Sequence, residues 1–215
     1  MRLVSVNVGL PRTITWKGRP VQTGIFKAPV NSRVQVRILN LEGDRQADLS
    51  VHGGLDKAIY AYPSEHYDYW RGELPDIELP WGMFGENFTT TGLLEGTVNV
   101  GDQFRVGSAM AMVTQPRVPC YKLVAKFGRE NIVERFLASG RSGFYLKVIQ
   151  EGEVGAGDAI ELISRDRHEV SVAEVAALYR DGTDQISLLQ RTVQVEALPE
   201  SWRARFRQQM AQLQR

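Results

Sequence analysis

The sequence predicts a mainly β fold with helices: a closed or strongly curled sheet with covering helices, followed by a small C-terminal domain of three helices. Up to about Ile163, short alternating runs are separated by Gly and Pro signals, the pattern of a curled all-β unit. Beyond that point the alternation gives way to helical spacing. The length of 215 residues is enough for one sizeable core and a modest appendage. The expected domains are 1–165 for the barrel and 166–215 for the helices.

Within the first unit, Val34, Val36 and Ile38 alternate with Arg33, Gln35 and Arg37, which reads as a half-buried strand. Met110 and Met112 alternate with Ala109, Ala111 and Val113, and the small residues suit close packing inside a barrel. Gly101-Asp102 divides Val98 to Val106, and Gly157-Asp158 divides Val154 to Leu162. Both read as tight turns, because glycine reaches positive φ without a steric penalty, and repeated turns point to a meandering sheet. Ser64 is placed to cap a short helix through Trp70. A second helix is expected from Arg129 to Ala138, with Ile132, Val133, Phe136 and Leu137 on one face. Both helices read as outer covers.

In the tail, Ser171 and Glu174 form a capping-box signature, followed by Val172, Val175, Ala176 and Tyr179 on one helical face. Ile186, Leu189 and Val193 make a second stripe, and Trp202, Phe206, Met210 and Leu213 a third, with Pro199 suited to a first helical turn. Three short helices have a marginal core by themselves, so the tail is expected to pack on the barrel or on a partner.

Composition removes whole classes of function. With 26 Lys+Arg against 25 Asp+Glu, the chain has no excess charge for gripping nucleic acid without sequence preference. No apolar run reaches the roughly 18 to 20 residues needed to span a bilayer, and Met1-Arg2-Leu3 lacks a signal-peptide pattern. The expectation is a soluble, cytoplasmic protein with no membrane partner. A single cysteine, Cys120, excludes an internal disulfide and fits a reducing compartment.

Cys120 lies in Gln115-Pro116-Arg117-Val118-Pro119-Cys120-Tyr121-Lys122, after an apolar strand and before the helix-compatible run Lys122 to Phe127. Two prolines stiffen the connection, and the helix start, Arg117 and Lys122 all favour a thiolate. The alternative is a small buried hydrophobe. A thiolate here can be a nucleophile, a sulfur carrier or a soft-metal ligand. A Cys-His hydrolase needs a base from His52, His66 or His168; of these, His52 alone has a tight Gly context, while His66 reads as a packing residue. Scattered His and one Cys do not give a zinc spacing. The segment Leu41 to Ala58 mixes Gly with both charge signs, so it is either an anion-binding loop with Lys57 or Arg45 as counter-charge, or a solvated turn. In Phe84 to Gly92, Asn87 and Glu86 can pair with an amide-bearing heterocycle or satisfy local backbone. Walker-type and Gly-x-Gly-x-x-Gly loops are absent, which leaves nicotinamide and flavin binding by the usual routes unsupported.

These segments also carry a resemblance. Thr23-Gly24-Ile25-Phe26-Lys27, Leu41-Glu42-Gly43-Asp44, Val51-His52-Gly53-Gly54 with Asp56-Lys57-Ala58, Phe84-Gly85-Glu86-Asn87, Gly101-Asp102 and the Cys120 segment resemble the MOSC domain family, in its YiiM-type branch. The likeness continues through Gly140 to Tyr145 and Gly152-Glu153-Val154 into the helical tail, which is similar to the three-helix domain of that branch. The resemblance implies a MOSC-type β-barrel that binds a molybdenum cofactor (molybdopterin), with Cys120 as catalytic residue and metal ligand or as the sulfur-bearing residue. It further implies Lys27, Arg117 and Lys122 as cations near the cofactor phosphate or metal, Asn87 and Asp102 as pterin contacts, and His52 among the cofactor-binding residues.

Some relatives of this branch reduce N-hydroxylated bases and related N-hydroxylated compounds. The expected function is therefore a molybdenum-dependent oxidoreductase acting on such a small molecule, served by a separate electron-donating reductase, with a homodimer compatible. The alternatives are a sulfur carrier passing Cys120 persulfide sulfur to a metal centre, and a non-catalytic cofactor carrier. Tyr60, Tyr62 and Phe88 are candidates to line a substrate cleft by stacking, and equally ordinary core residues, the commoner role.

Overall fold

The structure, a computed structural model, describes residues 1–47, 53–183 and 185–213. The barrel sheet contains β1 (Arg2–Val8), β4 (Ala28–Val30), β6 (Ile59–Pro63), β7 (Phe88–Thr91), β8 (Gln103–Val106), β9 (Ala109–Pro116), β10 (Phe144–Gln150) and β12 (Ile160–Ser164). Its order is β12-β8-β9-β10-β6-β7-β1-β4. Two small sheets flank it: β2 (Arg12–Trp16) pairs with β3 (Arg19–Thr23), and β5 (Val34–Val36) with β11 (Gly152–Val154).

The sheet closes through a short seam. The edge of β1 that meets β4 over Val6 to Val8 is taken at its start by the segment leading into β12. Leu3 N donates to Asp158 O at 2.9 Å, Gly157 N to Leu3 O at 2.7 Å, and Arg2 bridges Ala159. The expected turn glycines hold: Gly101 has φ +98° and Gly157 φ +94°, a region costly for a residue with a Cβ. The expected meander does not. Of neighbouring strands in the sheet, β8 and β9 form a hairpin, while β6 and β7 run parallel, with Ala61 opposite Phe88. A parallel pair needs a crossover, and α1 (Glu65–Glu73) with the loop after it supplies one.

The small side of β9 faces inward as expected. Ala109, Ala111 and Val113 are buried in the barrel core, whereas Met110 and Met112 are only partly covered. Ile38 departs from expectation: β5 stops at Val36, and Ile38 is 40% exposed beyond a two-stranded edge. Ser64 occupies the cap position of α1, but its side chain makes no capping bond, and the helix runs three residues past Trp70. With α2 (Tyr121–Phe127) and α3 (Ile132–Ser139), α1 covers the outer face of β6. All five β6 residues are buried as a result. This second core is aromatic: Tyr62 stacks on Phe84 at 4.6 Å between centroids, and Trp70 on Phe136 at 6.0 Å. Tyr62 and Phe88 are core residues in the structure.

The tail comprises α4 (Val172–Asp181), α5 (Ile186–Gln194) and α6 (Glu200–Leu213). The capping box forms, with Glu174 N donating to Ser171 Oγ at 3.1 Å and Ser171 N to Glu174 Oε2 at 2.7 Å. Backbone bonds stitch the tail to the barrel: Val100 N donates to Val170 O and Val172 N to Val98 O, both at 2.9 Å. Val175, Leu178, Leu189, Trp202 and Phe206 join the same apolar core as the barrel residues. None of the described helices is long and apolar enough to cross a membrane.

Trp202 is 8% exposed and packs on Tyr179 at 5.0 Å. Trp202→Ala is expected to cost about 3 kcal/mol or more, as large aromatic truncations in a core do. Urea unfolding tests this, and an unchanged midpoint would show that the ring contributes no docking energy.

Candidate functional site

Cys120 is the N-cap residue of α2, in extended conformation, and its sulfur does not cap the helix. Pro116 ends β9 and pairs with Phe144 of β10, so the stiff connection to Cys120 starts from a fixed ladder. The thiol is partly exposed. It stands in the wall of a recess whose rim and floor carry Lys27, Arg45, Lys57, Arg117 and Lys122, with Asp44 as the facing acid.

Asp44 organises this recess. Its carboxylate is buried and accepts from Lys27 Nζ, from Gly9 N at 3.0 Å and from Asn87 Nδ2 at 2.9 Å. Asn87 also donates to Asn7 O at 3.3 Å, and its Oδ1 accepts from Tyr60 N at 3.1 Å. The amide expected to pair with a pterin is thus engaged in joining the start of β6, the end of β1 and the turn carrying Asp44. Asn87 lines the recess as a positioning residue. Gly85, beside it, has φ +83°, and a Cβ there would lie 2.8 Å from Ile25 Cγ1. Only glycine lets these two segments meet without displacement.

Arg117 enters from the aromatic side. Its guanidinium is buried, donates to Phe84 O at 2.6 Å and lies 4.7 Å from the centroid of the Tyr60 ring. Burial opposes its charge, yet Tyr60, Tyr145 and the Cys120 sulfur hold it above the ordinary arginine value. Burial pushes the Tyr60 and Tyr145 hydroxyls up despite Arg117, so both remain neutral donors. Glu86, wholly buried, accepts from Tyr67 Oη, Gly82 N at 2.7 Å, Phe84 N at 3.1 Å and Thr89 Oγ1 at 3.0 Å. That network fixes the loop whose carbonyl holds Arg117.

Of the residues expected at the site, Lys27, Asn87, Arg117, Cys120 and Lys122 meet in one recess. Asp102 does not. Its carboxylate is wholly buried at the Gly101 turn, accepting from Asn99 N and Asp166 N at 3.0 Å each, with Arg165 at 3.7 Å. Both oxygens are held by the junction of barrel and tail, which makes Asp102 structural. His52 lies outside the described residues. His66 is a packing residue, its Nε2 2.8 Å from Glu95, which also accepts from Gly143 N. Sequence reasoning missed Tyr145 and Gln115 as lining residues. Period-two alternation in β10 is the one signal for Tyr145, since it places this ring opposite the buried Phe144 and Leu146.

A second, larger cleft of about 660 Å³ adjoins the recess, sharing Lys57, Val118, Cys120 and Tyr145 with it. Its far side is α6, through Ser201, Trp202, Ala204, Arg205 and Gln208. Cys120 therefore borders an inner cationic pocket and an outer, open cleft flanked by the tail.

A MOSC domain model matches residues 48–161, and a YiiM-like 3-alpha helix domain model matches residues 170–213. The chain belongs to the MOSC domain family. MOSC domains are associated with the molybdenum cofactor. The chain is 42% identical to the uncharacterized protein YflK of Bacillus subtilis, covering 95% of this chain and 92% of that protein. It is 40% identical to protein YiiM of Escherichia coli, over 86% and 83%. A protein named reductase from Gibberella moniliformis is 30% identical over 83% of this chain, which spans 32% of that longer protein. The crystal structure of YiiM from Geobacillus stearothermophilus superposes with a TM-score of 0.80 at 34% identity, covering 97% of this chain and 98% of that one.

The crowding of cations leaves a mark on protonation. Burial lowers the Lys27 ammonium below its ordinary value, against the pull of Asp44. Lys126, donating to Ile25 O and Gly82 O behind the recess, is brought down to about 7. Burial is the main cause, Glu86 opposes it, and Arg117, Lys27 and Arg12 add repulsion. The unfolded chain keeps this lysine protonated up to its ordinary 10.5, so above about 7 it binds more protons than the folded chain. Stability contributed by this group then rises with pH until about 10.5. Lys126→Met is expected to flatten that rise. Denaturant midpoints at about pH 6 and about pH 9 check the sign, and an identical pH response in both proteins would overturn it.

Proposed function

We propose that this chain is a molybdenum-cofactor-binding oxidoreductase that reduces N-hydroxylated bases and related N-hydroxylated compounds, with Cys120 as the protein ligand to the metal. One observation carries the reading: the single thiol stands where a recess lined by five cationic side chains opens into a separate cleft large enough for a small molecule. Membership of the MOSC family and the reductase-named relative support an oxidoreductase role.

The donor set fits the cofactor. A thiolate is a soft ligand suited to a metal that already carries sulfur ligands, and the ammonium and guanidinium groups complement a phosphate. Cys120 would hold the metal, while Lys27, Arg45, Lys57 and Lys122 would bind the anionic part. When bound, the cofactor supplies a redox-active metal that delivers two electrons to the N–O bond. The overall change is R–NH–OH plus two electrons and two protons to R–NH₂ and water, the electrons coming from a separate reductase.

The chain's own residues set the conditions for this. Arg117 presents fixed positive charge beside Cys120, complementing a thiolate without having to reorganise, because Phe84 O and the Tyr60 ring hold its guanidinium in place. Tyr145 forms part of both compartments and keeps its hydroxyl proton, so it can donate a hydrogen bond to a bound substrate. The outer cleft gives a small substrate a place beside Cys120, which supports the reductase reading.

Cys120→Ala is expected to retain the wild-type melting temperature, to lose bound molybdenum, and to lower turnover of 6-hydroxylaminopurine with a reduced dye at least a hundredfold. Protein purified from a host that makes the cofactor, assayed for metal and pterin, tests this. Molybdenum content equal to wild type would remove Cys120 as the ligand.

A further inference from the structure

The outer cleft contains a polar group without a protein partner. Gln115, on β9, is 5% exposed and lines this cleft, yet its side-chain amide has no hydrogen bond among the described residues. Its amide is not among the sealed polar atoms without a partner, Thr90 Oγ1 and Arg203 Nε, so it is open to the cleft and available to a ligand there. Opposite it, Ser201, Ala204, Arg205 and Gln208 recur at i, i+3, i+4 and i+7, so one face of α6 looks into the cleft. All four are exposed, in contrast to Trp202 and Phe206 on the buried side. Ala204 leaves space in the middle of that face. Arg205 is held in place by its stacking on Tyr179, 4.4 Å from the ring centroid.

We infer that this cleft is the substrate compartment, and that Gln115 and Gln208 read the edge of a planar nitrogen heterocycle of nucleobase type, placing its exocyclic nitrogen toward Cys120. The inference rests on the reductase reading and deepens it by naming the residues that select the substrate. A carboxamide offers a donor and an acceptor side by side, the complement of an aminopurine edge, where an amino donor adjoins a ring-nitrogen acceptor. Tyr145 gives the compartment an aromatic side on which a flat ring stacks, and the edge of the buried Trp202 borders it. The helical tail is then a specificity element and not merely a cover.

The probe is adenine, the product-like and non-reducible base, titrated into the purified protein in cofactor-loaded and cofactor-free form, with tryptophan fluorescence as readout. Wild type should show saturable quenching in both forms. Gln115→Leu should weaken adenine binding at least tenfold and raise KM for 6-hydroxylaminopurine by a similar factor with little change in kcat. Gln208→Ala, at an exposed position, should weaken binding severalfold without lowering the melting temperature. Arg207→Ala, on another face of α6 and ion-paired with Glu200, serves as the control with wild-type affinity. Absence of adenine binding, loss of binding on cofactor loading, or wild-type affinity in both glutamine variants would overturn the assignment. Turnover of the hydroxylamine with unchanged KM in those variants would leave the reductase reading standing and remove only this cleft. Adenine binding that depends on Gln115 in a protein without reductase activity would do the reverse.

Discussion

Asp44 is the constraint on which the site depends. Gathering cationic side chains around one thiol carries a cost in desolvation and mutual repulsion, and this buried carboxylate offsets it for Lys27, the ammonium it pairs with. Through Lys27, Gly9 N and the Asn87 amide it also joins three segments far apart in the chain. Charge neutralisation and wall construction thus share one pair of oxygens. Removing them would leave a buried ammonium and a dangling amide together, so the effects of the two losses would not add independently.

Around this node the molecule uses two different materials. The barrel interior is aliphatic and packs small residues of β9 against the sheet, which gives a stiff frame with few polar demands. The outer layer over β6 is aromatic, and a buried carboxylate fixes the loop that runs through it. Glu86 gathers four donors, so the stretch from Gly82 to Asn87 keeps one shape. Arg117 then finds a fixed carbonyl at Phe84 and a fixed ring at Tyr60. Preorganisation of a charge beside Cys120 is therefore a property of the aromatic layer, several contacts removed from the sulfur.

What could be read from the sequence follows the range of the interaction. Ser171 and Glu174 lie three residues apart, and the capping box they make is visible in the chain and present in the structure. The alternation around Met110 and Met112 is likewise local, as are the glycine turns at Gly101 and Gly157. Asn87 is the opposite case. Its partners are 27, 43 and 80 residues away, so no local pattern distinguishes a ligand-pairing amide from one that pins three segments together. Asp102 misleads for the same reason: a Gly-Asp dipeptide marks a turn, but only the tail's arrival at Asp166 N shows that the carboxylate is satisfied. The parallel β6–β7 pair defeats the expected meander because strand order is decided by which faces need covering. The gathering of Lys27, Arg117, Cys120 and Lys122 came through the resemblance, since their separation in sequence hides any common pocket.

Helix α6 presents Trp202 and Phe206 to the apolar core and its opposite side to the outer cleft. With 3.6 residues per turn, the two sets of positions interleave, and Trp202 alone borders both. Substitutions at Ser201, Ala204, Arg205 and Gln208 would accordingly alter the lining of the cleft while the Phe206 anchor stays in place. A single amphipathic segment in this way lets the lining of the compartment be changed apart from the packing of the scaffold.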